Sequence, residues 1–305
     1  MNKTLLLTGA AVLFASQAMA AQDITGAFAV PGKGQISSDT SIGMSRANTK
    51  WSASILGMAL SSSEAKDGMY ASEFIEYGVT DKFSINAGIT NTFDKDGGYG
   101  GDPISAYIGF RQPGTTYNND HNFAYQLGAK YNTSYEDLLF QISGHYATWQ
   151  PQSWYGRDNN APFSDRYDRW QKSLGLDLKA GLDLGNGITP YIIYSIDSAI
   201  DVAHRPLEQS VTAGIHKFTG KWALDGAIRY EWTKNDKDWF EKNSTEWWLD
   251  ASADYYLKDN IVIGAYGSYL MDSKDKTGDP YGIGLNIKEH QSTTYEVGLH
   301  VKFLF

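Results

Sequence analysis

The chain has 305 residues, a formal net charge of −9 and no cysteine. The excess of acidic residues excludes proteins that hold nucleic acid on a basic surface, because phosphate binding needs clustered Lys and Arg. The absence of cysteine excludes a small fold held together by disulfides.

The first predicted element is an N-terminal signal peptide over residues 1–20. Lys3 supplies a positive charge, residues 5–14 form a short apolar core, and small residues precede a cleavage site near Ala20/Ala21. The apolar run is too short for a membrane helix. We therefore expect Sec-dependent export and one mature domain, residues 21–305.

Alternation of apolar and polar residues begins after residues 21–35, which we predict to be a periplasmic lead-in or the start of the first strand. The clearest alternation covers Leu174–Leu184, where leucines share one face and Asp177 and Lys179 lie on the other. This period of two residues is typical of strands, and no helical periodicity competes with it.

Short and long connections alternate along the chain. Long stretches are predicted as extracellular loops at 61–68, 94–122, 150–170, 199–208, 234–243 and 273–290. Short stretches are predicted as periplasmic turns at 80–82, 133–137, 185–187, 219–221 and 258–260. Strict alternation requires residues 104–111 to lie inside a loop and predicts twelve strands. If 104–111 crosses the membrane, the count becomes fourteen, since bacterial single-chain barrels have even strand numbers.

The last eleven residues alternate up to the final phenylalanine. This ending resembles the C-terminal assembly signal of Gram-negative outer-membrane β-barrels. The resemblance implies recognition by the barrel assembly machinery through one face of the last strand, formed by Tyr295, Val297, Leu299, Val301, Phe303 and Phe305.

These features together predict an all-β fold, a closed antiparallel transmembrane β-barrel with short periplasmic turns and long extracellular loops. A soluble β-sandwich would show the same alternation, but the signal peptide, the 14% aromatic content and the terminal Phe favour the barrel. The chain resembles the small monomeric porin-like class. The resemblance implies a monomer in the bacterial outer membrane, in contact with lipid and lipopolysaccharide.

Charged side chains on the other face of the strands are predicted to line the lumen. The candidates are Glu76, Lys130, His145, Asp177, Lys179, Asp183, His216, Asp225, Arg229, Glu231, Glu246, Asp250, Asp254, Glu296, His300 and Lys302. Acidic residues outnumber basic ones, so the sequence predicts a passive channel for ions and small polar solutes with a weak preference for cations. The alternative is an occluded, structural or surface-interaction barrel, because opposite charges can pair across a lumen of this size.

An outer-membrane hydrolase is the third hypothesis. It would need a Ser–His or Asp–His cluster at the barrel rim. The six histidines (His121, His145, His204, His216, His290 and His300) show no such local motif. We therefore predict no enzymatic activity, no catalytic residue, no cofactor and no metal.

Overall fold

The computed structural model describes residues 23–55, 58–96, 100–101, 122–149, 154–158, 161–165, 171–200, 207–234, 244–274, 276–278 and 286–305. In this part of the chain, no helix is long and apolar enough to cross a membrane.

Twelve long strands form the architecture. They are β1 (Ile36–Ile55), β2 (Met58–Gly78), β3 (Phe83–Asp96), β4 (Asn122–Tyr135), β5 (Leu138–Trp149), β6 (Gln171–Leu182), β7 (Ile188–Ala199), β8 (Leu207–Phe218), β9 (Trp222–Lys234), β10 (Ser244–Lys258), β11 (Ile261–Ser273) and β12 (Asn286–Leu304). Short strands lie at Gly100–Gly101, Trp154–Asp158, Ala161–Asp165 and Lys276–Gly278.

The twelve long strands close into a ring in which each pairs antiparallel with its neighbours along the chain. β1 completes the ring because it pairs with both β2 and β12. At the seam, Ser37 is opposite Leu304 and Gly43 is opposite Gly298. The prediction of a closed twelve-stranded antiparallel barrel is confirmed. Residues 104–111 lie outside the described residues.

Apolar side chains cover the outside of the ring and polar ones lie inside it. Leu127, Leu174 and Leu299 are 61%, 53% and 59% exposed, whereas Glu76 and Asp254 are only 5% and 4% exposed. A soluble β-sandwich has the opposite arrangement, with leucines in a dry core. This distribution is the one expected of strands with lipid on one face and a polar lumen on the other.

Tight connections join the strands at one end of the barrel, which we call the turn end; we call the opposite end the loop end. The turns are residues 79–82, 136–137, 183–187, 219–221 and 259–260. Gly185, Asn186 and Gly187 all have positive φ, which explains the Gly-Asn-Gly sequence of that turn.

The predicted loop at 61–68 is wrong, because these residues belong to β2. They pair with β1 in register, from Ser61 opposite Ser52 to Gly68 opposite Ser45. The serine-rich sequence predicts a loop because apolar residues are sparse there. Backbone hydrogen bonds between the two long strands keep this hairpin extended, so no apolar outer face is needed to form it.

Inward-facing rings lie flat against the barrel wall over glycines of the next strand. Cross-strand partners of this kind are Tyr70 with Gly43, Phe74 with Gly88, His145 with Gly175, Tyr191 with Gly214, Tyr266 with Gly298 and His300 with Gly264. A Cβ built on any of these glycines would overlap the ring opposite it. Such ring-over-glycine packing stabilises strongly curved sheets, and it keeps large side chains close to the wall.

Replacing Gly298 by Ala is expected to destabilise the barrel by about 1–3 kcal/mol, the usual cost of overpacking. The new methyl group would occupy the position of the Tyr266 ring, which must then swing into the lumen. The matched control is Gly226→Ala, because a Cβ on Gly226 would meet no atom within 4 Å. The check is the midpoint of thermal unfolding, and equal midpoints for the two variants would contradict this account.

Candidate functional site: the lumen and its turn end

Residues 23–35 form a lead-in segment that crosses the turn-end opening of the barrel. It starts at β8 and β10, where Asp23 meets His216 and Tyr256. It then passes β4 and β6, whose Asn132 and Lys179 donate hydrogen bonds to backbone carbonyls of the segment. The segment therefore spans the opening instead of remaining outside it.

The segment leaves the lumen beside the turn between β2 and β3. The backbone N–H of Lys33 donates to Asp81 Oδ1 at 2.9 Å. Gly34 donates to the carbonyl of Gly78 at 2.7 Å, and Gly78 donates to the carbonyl of Gln35 at 3.0 Å. These bonds bring the chain directly into β1.

The far end of the segment is anchored by polar contacts. Asp23 Oδ2 lies 2.7 Å from His216 Nε2, and the Tyr256 hydroxyl donates to Asp23 Oδ1 at 3.1 Å. The N–H of Ile24 donates to the same Tyr256 hydroxyl at 2.9 Å. On the other side of the ring, His216 Nδ1 is 3.5 Å from Asp225 Oδ2. The imidazole of His216 therefore lies between two carboxylates, one from the segment and one from the wall.

An apolar cluster supports this anchor. Ile24 is 5% exposed and packs with Ala223, Tyr256, Val262 and Leu304, beside the partly buried Phe218. Burying an isoleucine side chain contributes roughly 1.5–3 kcal/mol. Docking of the segment is therefore stabilised by apolar burial as well as by the Asp23 contacts.

A cavity of about 630 Å³ remains next to the segment at the turn end. Its lining includes Asp23, Phe28 and Lys33 of the segment and Asn132, Leu139 and His216 of the wall. The segment thus narrows the opening and leaves space beside it.

Fifteen of the sixteen predicted lumen residues lie on the inward face of the strands. They are Glu76, Lys130, His145, Asp177, Lys179, His216, Asp225, Arg229, Glu231, Glu246, Asp250, Asp254, Glu296, His300 and Lys302. Their lining of a conducting pore stays a prediction. Asp183 was predicted wrongly, because β6 ends at Leu182 and Asp183 lies exposed in the following turn. Its carboxylate accepts the N–H of Gly185 at 2.9 Å and so stabilises the turn.

The predicted assembly residues Tyr295, Val297, Leu299, Val301 and Phe303 share one face of β12. Phe305 follows the end of this strand, and its backbone exchanges two hydrogen bonds with Ile36. The exposure of Val297 and Leu299 places this face outward. Recognition of the face by the assembly machinery stays a prediction.

One ion-pair group on the lumen side of the described wall is built around Arg229. We call it the arginine cluster; its other members are Glu231, Trp248 and Asp250. Arg229 Nε and Nη2 donate to the two oxygens of Asp250 at 2.9 and 3.2 Å, and Nη1 contacts Glu231. The guanidinium carbon lies 5.2 Å from the Trp248 ring centre. A fork-to-carboxylate pair with a stacked indole holds the cation against the wall.

Two tyrosines meet over the barrel seam. Tyr70 from β2 and Tyr266 from β11 reach over Gly43 and Gly298, and their hydroxyls contact each other. The Tyr70 hydroxyl also donates to Glu296 at 2.5 Å. This seam cluster joins side chains from strands on both sides of the β1–β12 pair.

Other inward charges pair locally along the wall. Lys130 Nζ is 2.8 Å from Glu76 Oε2, and Ser84 donates to the other oxygen of the same carboxylate. His145 lies 3.0 Å from Asp197, and His300 lies 2.7 Å from Asp254.

Histidine–serine pairs are not among these contacts, since the partners of His145, His216 and His300 are carboxylates. His121 and His204 lie outside the described residues. Within the described part of the chain, no group of three or more His, Asp or Glu is arranged to hold a metal ion.

Sequence reasoning missed the lumen tyrosines and the lead-in anchor. In the sequence, Tyr70, Tyr191 and Tyr266 contribute only to the 14% aromatic content that favours a barrel. The spacing along the strand could have indicated the inward position of Tyr70. Tyr70 lies six residues, an even number, from the inward Glu76 and therefore shares its face of the strand. No pattern in residues 23–35 indicated docking in the lumen.

Docking of the lead-in segment is expected to weaken in acid. Burial alone would raise the pKa of Asp23, but its hydrogen bond to His216 and the charge of that ring lower this pKa from 3.8 to about 2. A carboxyl whose pKa is lowered on docking stabilises the docked state at every pH above the pKa of the undocked carboxyl. This stabilisation is lost as the pH falls from about 4 towards 2. The protection of residues 23–30 against hydrogen–deuterium exchange, measured relative to the intrinsic exchange rate at the same pH, should therefore stay high from pH 7 to 4 and fall below pH 4.

The Asp23→Asn variant provides the comparison for this titration, because it lacks the ionisable group. It should exchange faster at neutral pH and lose most of the acid-dependent step. Loss of protection in the wild type between pH 7 and 5 would contradict the role of Asp23.

Comparisons with known proteins agree with the fold. One similar solved structure is an outer-membrane channel from Pseudomonas putida F1, with a TM-score of 0.51 at 10% identity over 92% of this chain and 98% of that chain. At this identity the match shows a shared fold and nothing finer. The chain therefore has the fold of outer-membrane β-barrels.

Two further similar structures have TM-scores under 0.5. A mutant of the TodX monoaromatic hydrocarbon channel scores 0.47 at 11% identity, covering 91% of this chain and 93% of its own. The translocator domain of the autotransporter NalP from Neisseria meningitidis scores 0.49 at 10% identity, covering 89% and 88%.

Sequence comparisons are narrower. The model of a family described as "Putative MetA-pathway of phenol degradation" matches residues 203–305, the last third of the chain. No curated protein matches the sequence.

Proposed function

We propose that this protein is a channel of the bacterial outer membrane, which passes ions and small polar solutes through the barrel lumen with a weak preference for cations. The lead-in segment narrows the passage at the turn end. The turn end faces the periplasm and the loop end faces the exterior.

The observation that carries the proposal is the position of the inward rings. Tyr70, Phe74, Tyr191 and Tyr266 lie flat over glycines of neighbouring strands, so their bulk follows the wall. A barrel filled by its side chains would instead direct such rings towards its axis. The polar, charged lining also suits water more than a dry core.

The charge balance supports the preference for cations. Inward carboxylates are more numerous than inward Lys and Arg side chains. Lys130 and Arg229 are each paired with an acid. Paired charges cancel locally, so we propose a weak preference rather than a steep one.

Location and partners belong to the same proposal. Export through the predicted signal peptide, insertion by the assembly machinery through the last strand, and a monomer surrounded by lipid and lipopolysaccharide fit a single-chain barrel with an apolar outer wall. No catalytic role is proposed for the Asp–His pairs of His145, His216 and His300, which lie on three different strands of the described wall.

Planar-bilayer recording of the refolded protein tests the proposal. We expect discrete conductance steps and a small reversal potential of cation-selective sign in a KCl gradient. Complete silence of the folded protein, including a form without the lead-in segment, would favour the non-conducting alternative. A reversal potential of anion-selective sign would overturn the charge assignment.

A further inference from the structure

An outward-facing carboxylate interrupts the apolar outer wall at β1 and β2. Glu73 shares its face of β2 with Ala71 and Ile75, which are exposed on the outside of the barrel. Ser38 donates to Glu73 Oε1 at 2.5 Å, and Thr40 donates to Oε2. We call these three residues the outer carboxylate site.

The surroundings of the outer carboxylate site are apolar. Outward neighbours on the adjoining strands include Ile42 at 58%, Ile89 at 39% and Leu299 at 59% exposure. In the described wall, the contacts of the Glu73 carboxylate are the two hydroxyls and not a cationic side chain. An ionisable side chain facing hydrocarbon is costly and indicates a function by default.

The site lies in the half of the wall nearer the turn end. Glu73 is four residues from Tyr77, an exposed aromatic next to the end of β2. At about 3.3 Å per residue and a strand tilt of about 40°, this is roughly 10 Å deeper in the membrane.

The side chain reduces that depth by leaning back towards the turn end. Its acceptor contact with Ser38 shows this, because Ser38 is opposite Ile75, two residues closer to the turn end than Glu73. The carboxylate therefore approaches the headgroup layer.

We propose that the outer carboxylate site binds the headgroup of an aminolipid, a lipid whose polar end is a primary ammonium group. This inference rests on the membrane placement given in the proposed function. Two hydroxyls leave the carboxylate with acceptor sites to spare, since an ionised carboxyl accepts about four hydrogen bonds. An ammonium supplies both the missing opposite charge and three N–H donors.

Phosphatidylethanolamine and phosphatidylcholine of identical acyl chains are suitable probes, because the choline headgroup has no N–H donor. The full-length folded protein is reconstituted with equal amounts of both lipids, transferred to mild detergent, and the retained lipids are counted by native mass spectrometry. We expect retention of phosphatidylethanolamine over phosphatidylcholine by about tenfold, the size of one charge-assisted hydrogen bond.

Glu73→Gln should bring the two lipids close to equal retention. Glu136→Gln is the matched control, because it makes the same change at an exposed turn and should keep the preference. The double variant Ser38→Ala/Thr40→Val, which leaves the carboxylate in place, should reduce the preference only in part. It also provides a second measurement if Glu73→Gln does not fold.

Equal retention of both lipids by the wild type would overturn the proposal, as would an unchanged preference in Glu73→Gln. A wild-type dimer that dissociates in Glu73→Gln would also overturn it, by making a second copy the occupant. Bilayer recordings on the same preparation separate the two proposals, since selective lipid retention without conductance would refute only the channel.

Discussion

Deletion of residues 23–30 is expected to raise the single-channel conductance of the barrel by at least about twofold, because conduction depends on the narrowest section of a pore. These residues cross the turn-end opening and include Ile24, which the apolar cluster at that end buries. The deletion joins Gln22 to Pro31 and keeps the contacts of Lys33 and Gly34 with the turn between β2 and β3. The start of β1 is therefore unchanged.

Ile24→Ser serves as the intermediate variant, because it keeps the segment but removes its apolar anchor. It should show transitions between the wild-type and the open conductance levels. Thermal unfolding measured in parallel identifies any general damage to the barrel. If the deletion variant conducts like the wild type, the segment does not limit the passage.

Replacement of Arg229 by Ala is expected to increase cation selectivity several-fold. The change removes the bidentate partner of Asp250 and the contact to Glu231, and so leaves both carboxylates facing the lumen. Two unit charges 4 Å apart in water interact by about 1 kcal/mol, which corresponds to about a fivefold ratio of ion occupancy. Reversal potentials in a KCl gradient measure the resulting permeability ratio.

Arg229→Lys is the control for charge, since it keeps a cation at the same place but loses the two-pronged geometry. It should retain nearly the wild-type selectivity. If both variants behave like the wild type, the arginine cluster lies outside the conduction path.

Strand number and strand faces could be predicted because each follows from local rules. Alternation places Asp177 and Lys179 on one face whatever the partner strand, and the spacing of turns sets the count. The two failures on the wall have physical causes. Asp183 continues the parity of β6, but the chain turns one residue earlier, and residues 61–68 stay extended through pairing with β1.

The lead-in anchor and the seam cluster could not be predicted, because they depend on contacts between distant parts of the chain. Asp23 and His216 are 193 residues apart, and Tyr70 and Tyr266 are 196 apart. No local periodicity encodes such pairs. They arise only once ring closure has placed the strands.

The seam also sets the order in which the barrel can form. Ile36 exchanges backbone hydrogen bonds with Phe305, so one edge of the first strand stays open until the last strand arrives. Such an open edge invites pairing with other chains, and contacts this far apart in sequence form slowly. During biogenesis, the open edge of the unfinished sheet must therefore be shielded from other copies of the chain. Pairing of β12 with β1 closes this edge and ends its exposure.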